Sequence, residues 1–165
     1  MKILAIDPGN VQSAYVLLIQ GNINEKGICD NSNMMNVLCN LPKDTTIVIE
    51  SITSYGMAVG KTVFETCIWI GRFFEQCIFY ASVAPNLVYR KDIKMHFCQS
   101  TRAKDSNIRQ VMLDRYGAPG TKKNPGKTYG ISKDMWSALA IATYWQDITW
   151  RSSEDKHVCN VRTLP

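Results

Sequence analysis

Three carboxylates in this chain stand where a fold could gather them: Asp7, Glu50 and Asp134. Asp7 follows the apolar run Ile3-Leu4-Ala5-Ile6 and precedes Pro8-Gly9-Asn10. The run reads as a strand buried on both faces, and Pro-Gly-Asn forces a turn after it. A carboxylate is thus held at the tip of a rigid strand. Asp also starts turns for purely local reasons, so Asp7 alone defines no site. Glu50 repeats the device, closing the β-branched run Thr45-Thr46-Ile47-Val48-Ile49. If the two strands are neighbours in one sheet, both acids meet at one edge. Asp134 lies in Ser-Lys-Asp-Met-Trp-Ser-Ala-Leu-Ala-Ile-Ala, residues 132–142. This segment predicts a helix with Ser132 as N-cap and Asp134 in its first turn. The helix dipole alone favours an acid there. The apolar residues that follow require the helix to pack on the sheet, which could aim Asp134 at the same edge.

Three carboxylates brought together repel unless a cation joins them. Oxygen ligands without His or Cys favour Mg²⁺ or Mn²⁺. A pair of such ions ~4 Å apart suits phosphoryl chemistry, one activating water and the other stabilising the leaving oxygen. The charge pattern supplies a matching substrate class. Between Tyr89 and Lys127 ten Lys and Arg face only Asp92, Asp105 and Asp114, while the rest of the chain carries nine basic and eleven acidic residues. A basic half beside a nearly neutral one predicts a polyanion partner, with a merely solvated basic face as the alternative.

Around these residues the chain reads as one domain of 165 residues, with 45% hydrophobic content, enough for a core. No apolar run approaches ~20 residues, and the N-terminus lacks a signal-peptide pattern, so a soluble, cytoplasmic protein with no membrane partner is expected. The six cysteines include no CxxC pair and read as buried free thiols, with Cys67 and Cys77 in the core of one helix. His96 and His157 suggest no metal cluster. Strands are expected at 3–6, 13–20, 22–29, 45–50 and 86–89, the first three as an antiparallel meander. Helices are expected at 31–41, 61–83, 105–116 and 132–148, with a helical turn at 90–97. The 61–83 helix is apolar over an unusually wide face. Core packing and a partner helix in a homodimer both account for it. Residues 118–130, rich in Gly, Pro and Lys, read as a mobile loop. The folded unit is expected to span 1–148, with 149–165 a tail of no clear period.

Asp-Pro-Gly at 7–9, Ile-Val-Ile-Glu at 47–50 and Asp-Met-Trp-Ser-Ala-Leu-Ala-Ile-Ala at 134–142, in this order, resemble the RuvC family of Holliday junction resolvases over about residues 1–146. The resemblance implies an α/β, ribonuclease H-like fold: a mixed five-stranded sheet, antiparallel over its first three strands and parallel thereafter, flanked by helices. It implies a homodimer acting on branched DNA, with Mg²⁺ (or Mn²⁺), two ions per site, bound by acids matching Asp7, Glu50 and Asp134. The family's last helix carries Asp-x-x-Asp before Ala-Leu-Ala. In that register Ser137 stands where the second acid belongs, able to order a metal-bound water but without charge. The basic residues that contact junction phosphates in the family match Lys104 and, with a one-residue offset, Lys94. Arg102, Lys122 and Lys123 extend that basic surface, and Tyr55, after Glu50, sits where the family has a junction-opening aromatic.

The resulting expectation is an endonuclease that resolves four-way junctions by paired nicks. Other ribonuclease H-like nucleases, acting on flaps, branched DNA or RNA–DNA hybrids, share the acids. A junction-binding protein without cleavage fits the loss of charge at Ser137. A sugar-kinase or actin-like ATPase would need two lobes and a second Asp-x-Gly, for which 165 residues leave no room.

Overall fold

A computed structural model describes residues 1–161 apart from Lys43, Tyr55 and Met57, with backbone alone at Ala81 and at 151–161. Five strands form one sheet: β1 (Lys2–Asp7), β2 (Gln12–Ile19), β3 (Asn22–Asp30), β4 (Thr45–Ser51) and β5 (Asn86–Tyr89). Their spatial order is β3-β2-β1-β4-β5. The β1–β2 and β2–β3 pairs are antiparallel, as short connections demand. The β1–β4 and β4–β5 pairs are parallel, with helices in the crossovers. The expected mixed sheet is therefore present, and its central strand is the one that ends in Asp7.

Both faces of the sheet are covered, which is why β1 and β4 are apolar without alternation. On one face Leu4, Ile6, Ile47 and Ile49 pack against α1 (Asn31–Cys39) and α2 (Lys61–Gln76) through Met34, Leu38 and Phe73. On the other, Ile3, Ala5, Val48 and Val88 pack against α3 (Arg90–Cys98), α4 (Asp105–Tyr116) and α5 (Met135–Val161). In α5 the run Ala138 to Ala142 is wholly buried. Its alanines let the helix axis lie close to the strands.

Four expectations need correction. Ser132 does not cap α5. Its carbonyl accepts from the Met135 N–H in a turn, Lys133 adopts a left-handed φ of 47°, and the Asp134 carbonyl accepts the helical bond from Ala138. Asp134 is thus the cap residue itself. The α5 backbone also continues to Val161, because no Pro or Gly lies between Ile148 and Val161 to stop it. Residues 118–130 are not a loose loop. Gly120 and Pro125 bridge, Gly126 N–H donates to Pro119 O, and buried Thr128 donates to Gly117 O at 2.8 Å. A Cβ on Gly126 would sit 2.1 Å from the Ala118 carbonyl oxygen, so that glycine serves close packing rather than mobility. Finally, Cys67 is exposed while Cys77 is buried; Cys29 and Cys98 are intermediate and Cys39 exposed. Helix α2, followed by a π-helical turn at Cys77–Ala81 and halted by left-handed Ser82, buries only one of its apolar sides.

The turn after Asp7 is locked by buried polar side chains. Ser13 Oγ donates to Asn31 Oδ1 at 2.6 Å, and Asn31 Nδ2 donates to the Gly9 carbonyl at 2.9 Å. The Asn31 N–H reaches the Val11 carbonyl at 3.1 Å. Ser13 and Asn31 are each 1% exposed, so these bonds have no competing water. Leaving such partners unpaired costs ~1–3 kcal/mol. Asn31→Ala is therefore expected to lower Tm by roughly 4–8 °C in a thermal melt; a change below about 1 °C would show that the turn holds itself.

Candidate active site

The parallel register assembles the first two acids. Ile6 pairs with Ile49, so Asp7 and Glu50, each one residue further on, stand level on adjacent strands. Alternation places Asp7 on the face of Ile3 and Ala5, and Glu50 on that of Val48. Both carboxylates therefore point to the side covered by α5. From the start of α5, the Ser137 hydroxyl stands near enough to the Asp7 carboxylate to favour its charged form, and Asp134 lies close enough for its charge to act on Asp7. The sequence-expected acids do share one end of the sheet.

Burial pushes the Asp7 carboxyl up from its ordinary 3.8 to about 7, and the charge of Glu50 adds to this. Arg90 opposes the rise, Asp134 adds to it more weakly, and the Ser137 hydroxyl lowers it. Glu50 is also pushed up, first by burial; Arg90 and Lys94 act against the rise and Asp105 with it. The crowding is thus real, but among the described residues no three His, Cys, Asp or Glu side chains close into a ready-made metal cluster. A cation already stands in the group: Arg90 Nη1 lies 3.7 Å from Glu50 Oε2, and Arg90 Nη2 donates to Asp105 Oδ1 at 2.7 Å. Burial works against the Arg90 charge, but Glu50, Asp105 and Asp7 together outweigh it and hold the guanidinium protonated.

A cavity of about 270 Å³ is lined by Asp7, Glu50, Thr53, Thr66 and Arg90 among others. A second, of about 310 Å³, is lined by Arg90, Asp105, Arg109, Lys133, Asp134 and Ser137 among others. Arg90 belongs to both walls. The oxygen donors Asp7, Glu50 and Asp134 fit a hard divalent ion in chemistry, and their mutual repulsion is what such an ion would relieve.

The basic candidates fall in different places. Lys94, on α3, is largely covered and lies 3.9 Å from Asp105, within the ion network of the site. Lys104 is exposed at the start of α4, where its backbone N–H donates to Asn107 Oδ1. Arg102 is exposed beside it, and Lys122 and Lys123 are exposed on the 118–130 hairpin. Tyr55 lies outside the described residues. Arg90 and Asp105 escaped the sequence reading. The signal was there for Arg90: like Asp7 and Glu50, it is a charged residue at the C-terminal end of a parallel strand, here β5.

No family model matches the chain, and comparison with curated proteins finds no match. Solved structures do match. A Thermus thermophilus RuvC structure superposes with a TM-score of 0.64 at 14% identity, covering 90% of this chain and 97% of that one. The fold is that of RuvC, ribonuclease H-like. A second structure, T. thermophilus RuvC in complex with a Holliday junction substrate, superposes with a TM-score of 0.65 at 14% identity, covering 87% and 92% of the two chains. Among the described residues no helix is long and apolar enough to cross a membrane.

The raised acids make stability depend on pH in a definite sense. A carboxyl whose folded pKa lies above its unfolded value binds its proton more tightly when folded, so stability falls as pH rises between the two values. For Asp7 that window runs from 3.8 to about 7. Asp147 is shifted the other way, lowered by hydrogen bonds from Arg115 and His96 despite burial. Its contribution is lost only as pH falls below its ordinary range, outside that window. In EDTA, Tm is expected to drop by about 5 °C or more between pH 5 and pH 8, and Mg²⁺ to restore most of the loss at pH 8 but little at pH 5. A Tm that rises over this range in EDTA would contradict the assignment.

Proposed function

We propose that the protein is a RuvC-type, metal-dependent endonuclease that resolves four-way DNA junctions in recombination and repair. The observation that carries the reading is the level placement of Asp7 and Glu50 at one sheet edge, facing Asp134 and Ser137 at the start of α5. The fold likeness supports it, since one of the matching structures is of RuvC with a Holliday junction. The excess of basic residues at 89–127 supports a polyanionic substrate.

In this reading Asp7, Glu50 and Asp134 hold Mg²⁺, for which Mn²⁺ substitutes. The bound ion supplies charge for an attacking water and a phosphate oxygen. The chain's own groups do the positioning. The rigid strand ends fix the Asp7 carboxylate, and Ser137 favours its charged form. The carboxylates orient the water and take up its proton. The water oxygen bonds to phosphorus as the bond from phosphorus to O3′ breaks, leaving a 5′-phosphate and, after protonation from solvent, a 3′-hydroxyl. Lys104, Lys94, Arg102, Lys122 and Lys123 hold the flanking phosphates.

Paired nicks need two sites. Exposed Phe64, Ile68 and Ile78 form an apolar stripe along α2 and the following turn, 59%, 63% and 49% exposed, and Phe79 beside them is 76% exposed. Gly71 lies in this stretch with open space around it. Such a stripe suits a second copy of the chain. A non-cleaving junction binder is the second reading, favoured by the uncharged Ser137.

Cleavage assays on a synthetic four-way junction, a flap and a linear duplex separate these readings. With Mg²⁺ the wild type is expected to cut the junction in symmetric pairs, and Glu50→Gln to bind it while cutting at least about 10³-fold more slowly. Cutting of flap and duplex but not the junction would reject the resolvase assignment, and junction binding without any cutting would favour the second reading. Ile68→Glu is expected to shift gel filtration from dimer to monomer and replace paired cuts with single nicks; an unchanged elution volume would remove the stripe from the interface.

A further inference from the structure

Arg90 is a cation built into a centre that would otherwise be all acid. It sits directly at the C-terminal end of β5, the third parallel strand, beside the strand that carries Glu50. Its Nη1 lies 3.7 Å from Glu50 Oε2, its Nη2 is anchored to Asp105 at 2.7 Å, and it lines both the cavity of Asp7 and Glu50 and that of Asp134 and Ser137. Nη1 is buried and has no hydrogen-bond partner, its contact with Glu50 being ionic only. A buried donor without an acceptor is costly, and a phosphate oxygen is the kind of acceptor that would complete it. On the facing side, Ser137 brings a hydroxyl to Asp7 but no charge. Asp105 is taken up by Arg90 and Lys94, so three carboxylates, Asp7, Glu50 and Asp134, remain to face an ion, where four would balance two divalent ions.

Resting on the nuclease reading above, we propose that Arg90 takes the place of a second divalent ion: the centre binds one divalent ion per protomer, and the Arg90 guanidinium receives a non-bridging oxygen of the scissile phosphate. This refines the expectation of two ions. The guanidinium brings a fixed positive charge with planar donors suited to a phosphate oxygen, and needs no fourth carboxylate to hold it. Asp105 keeps the guanidinium at the boundary between the two cavities, so that Glu50 is only partly neutralised and remains available to the ion. Asp105 is a positioning residue acting through Arg90.

Calorimetric titration of the intact protein with Mn²⁺, without DNA, reads the ion count apart from activity. Wild type is expected to bind one Mn²⁺ per chain. Arg90→Gln, with Glu50 released, is expected to bind the first ion about tenfold more tightly or better and to admit a second, weaker one. Arg90→Lys, which keeps a cation, stays at one ion. Arg109→Gln removes an equal charge from the wall of the second cavity, where Arg109 lies over the Trp136 ring at 5.1 Å, and is expected to leave the count at one with affinity changed less than about threefold. Asp105→Asn leaves Arg90 in place but gives it wholly to Glu50, and is expected to weaken the first ion at least threefold. Two ions bound to wild type, equal effects of Arg90→Gln and Arg109→Gln, or unchanged binding in Asp105→Asn would each overturn the role of Arg90 while leaving the nuclease reading intact. No Mn²⁺ bound to wild type would overturn both.

Discussion

Two carboxylates at the ends of adjacent parallel strands, held in place by the sheet and partly stripped of water, are the constraint on which the rest of this molecule turns. Asp7 and Glu50 cannot move apart, because the β1–β4 register fixes them and the buried Ser13–Asn31–Gly9 bonds lock the turn beyond Asp7. Nor can they be freely solvated, because α5 packs over the same face. Burial and mutual repulsion then raise the Asp7 pKa to about 7. The fold accepts an unfavourable local arrangement and offsets it with the large apolar burial on both faces of the sheet, a pattern expected where function rather than stability selects the residues.

The other charged groups can be understood as responses to that pair. Arg90 meets Glu50 from the neighbouring strand end, Asp105 restrains Arg90 from α4, and Lys94 joins from α3. Ser137 stabilises the ionised form of Asp7 through its hydroxyl. Asp134 gains from the dipole of α5 while adding negative charge to the group. What emerges is a centre whose net charge is negative but moderated, bordered by a strongly basic segment. Under the proposed function, that combination would draw in a phosphodiester and give a cation a reason to bind with it.

Much of this was legible in the sequence because strand-end acids are visible as such. Ile3 to Ile6 and Thr45 to Ile49 are buried runs with one obvious secondary structure, and the residue that ends each run is charged. The antiparallel first three strands followed from their short connections, and the parallel part of the mixed sheet from the RuvC resemblance. The apolar residues after Asp134 announced a helix packed on the sheet. Other features were hidden for physical reasons. Arg90 disappeared into a count of ten basic residues, since net charge carries no information about which cation lies at a strand end. Gly120 and Gly126 look like flexibility but serve close backbone packing, and only the three-dimensional bonds distinguish the two. Helix α2 is apolar on several sides, so its sequence could not say that Phe64, Cys67 and Ile68 face outward.

The central claim is that Asp7 is kept at this edge for chemistry at the expense of stability. The direct test is to measure thermal unfolding in EDTA at pH 7.5 and four-way junction cleavage with Mg²⁺ on one preparation of Asp7→Asn beside wild type. A buried, repelled Asp7 predicts a variant that melts several degrees higher than wild type in EDTA, gains little stability from Mg²⁺, and does not cut. A variant that melts lower in EDTA, or that cuts the junction as fast as wild type, would contradict it.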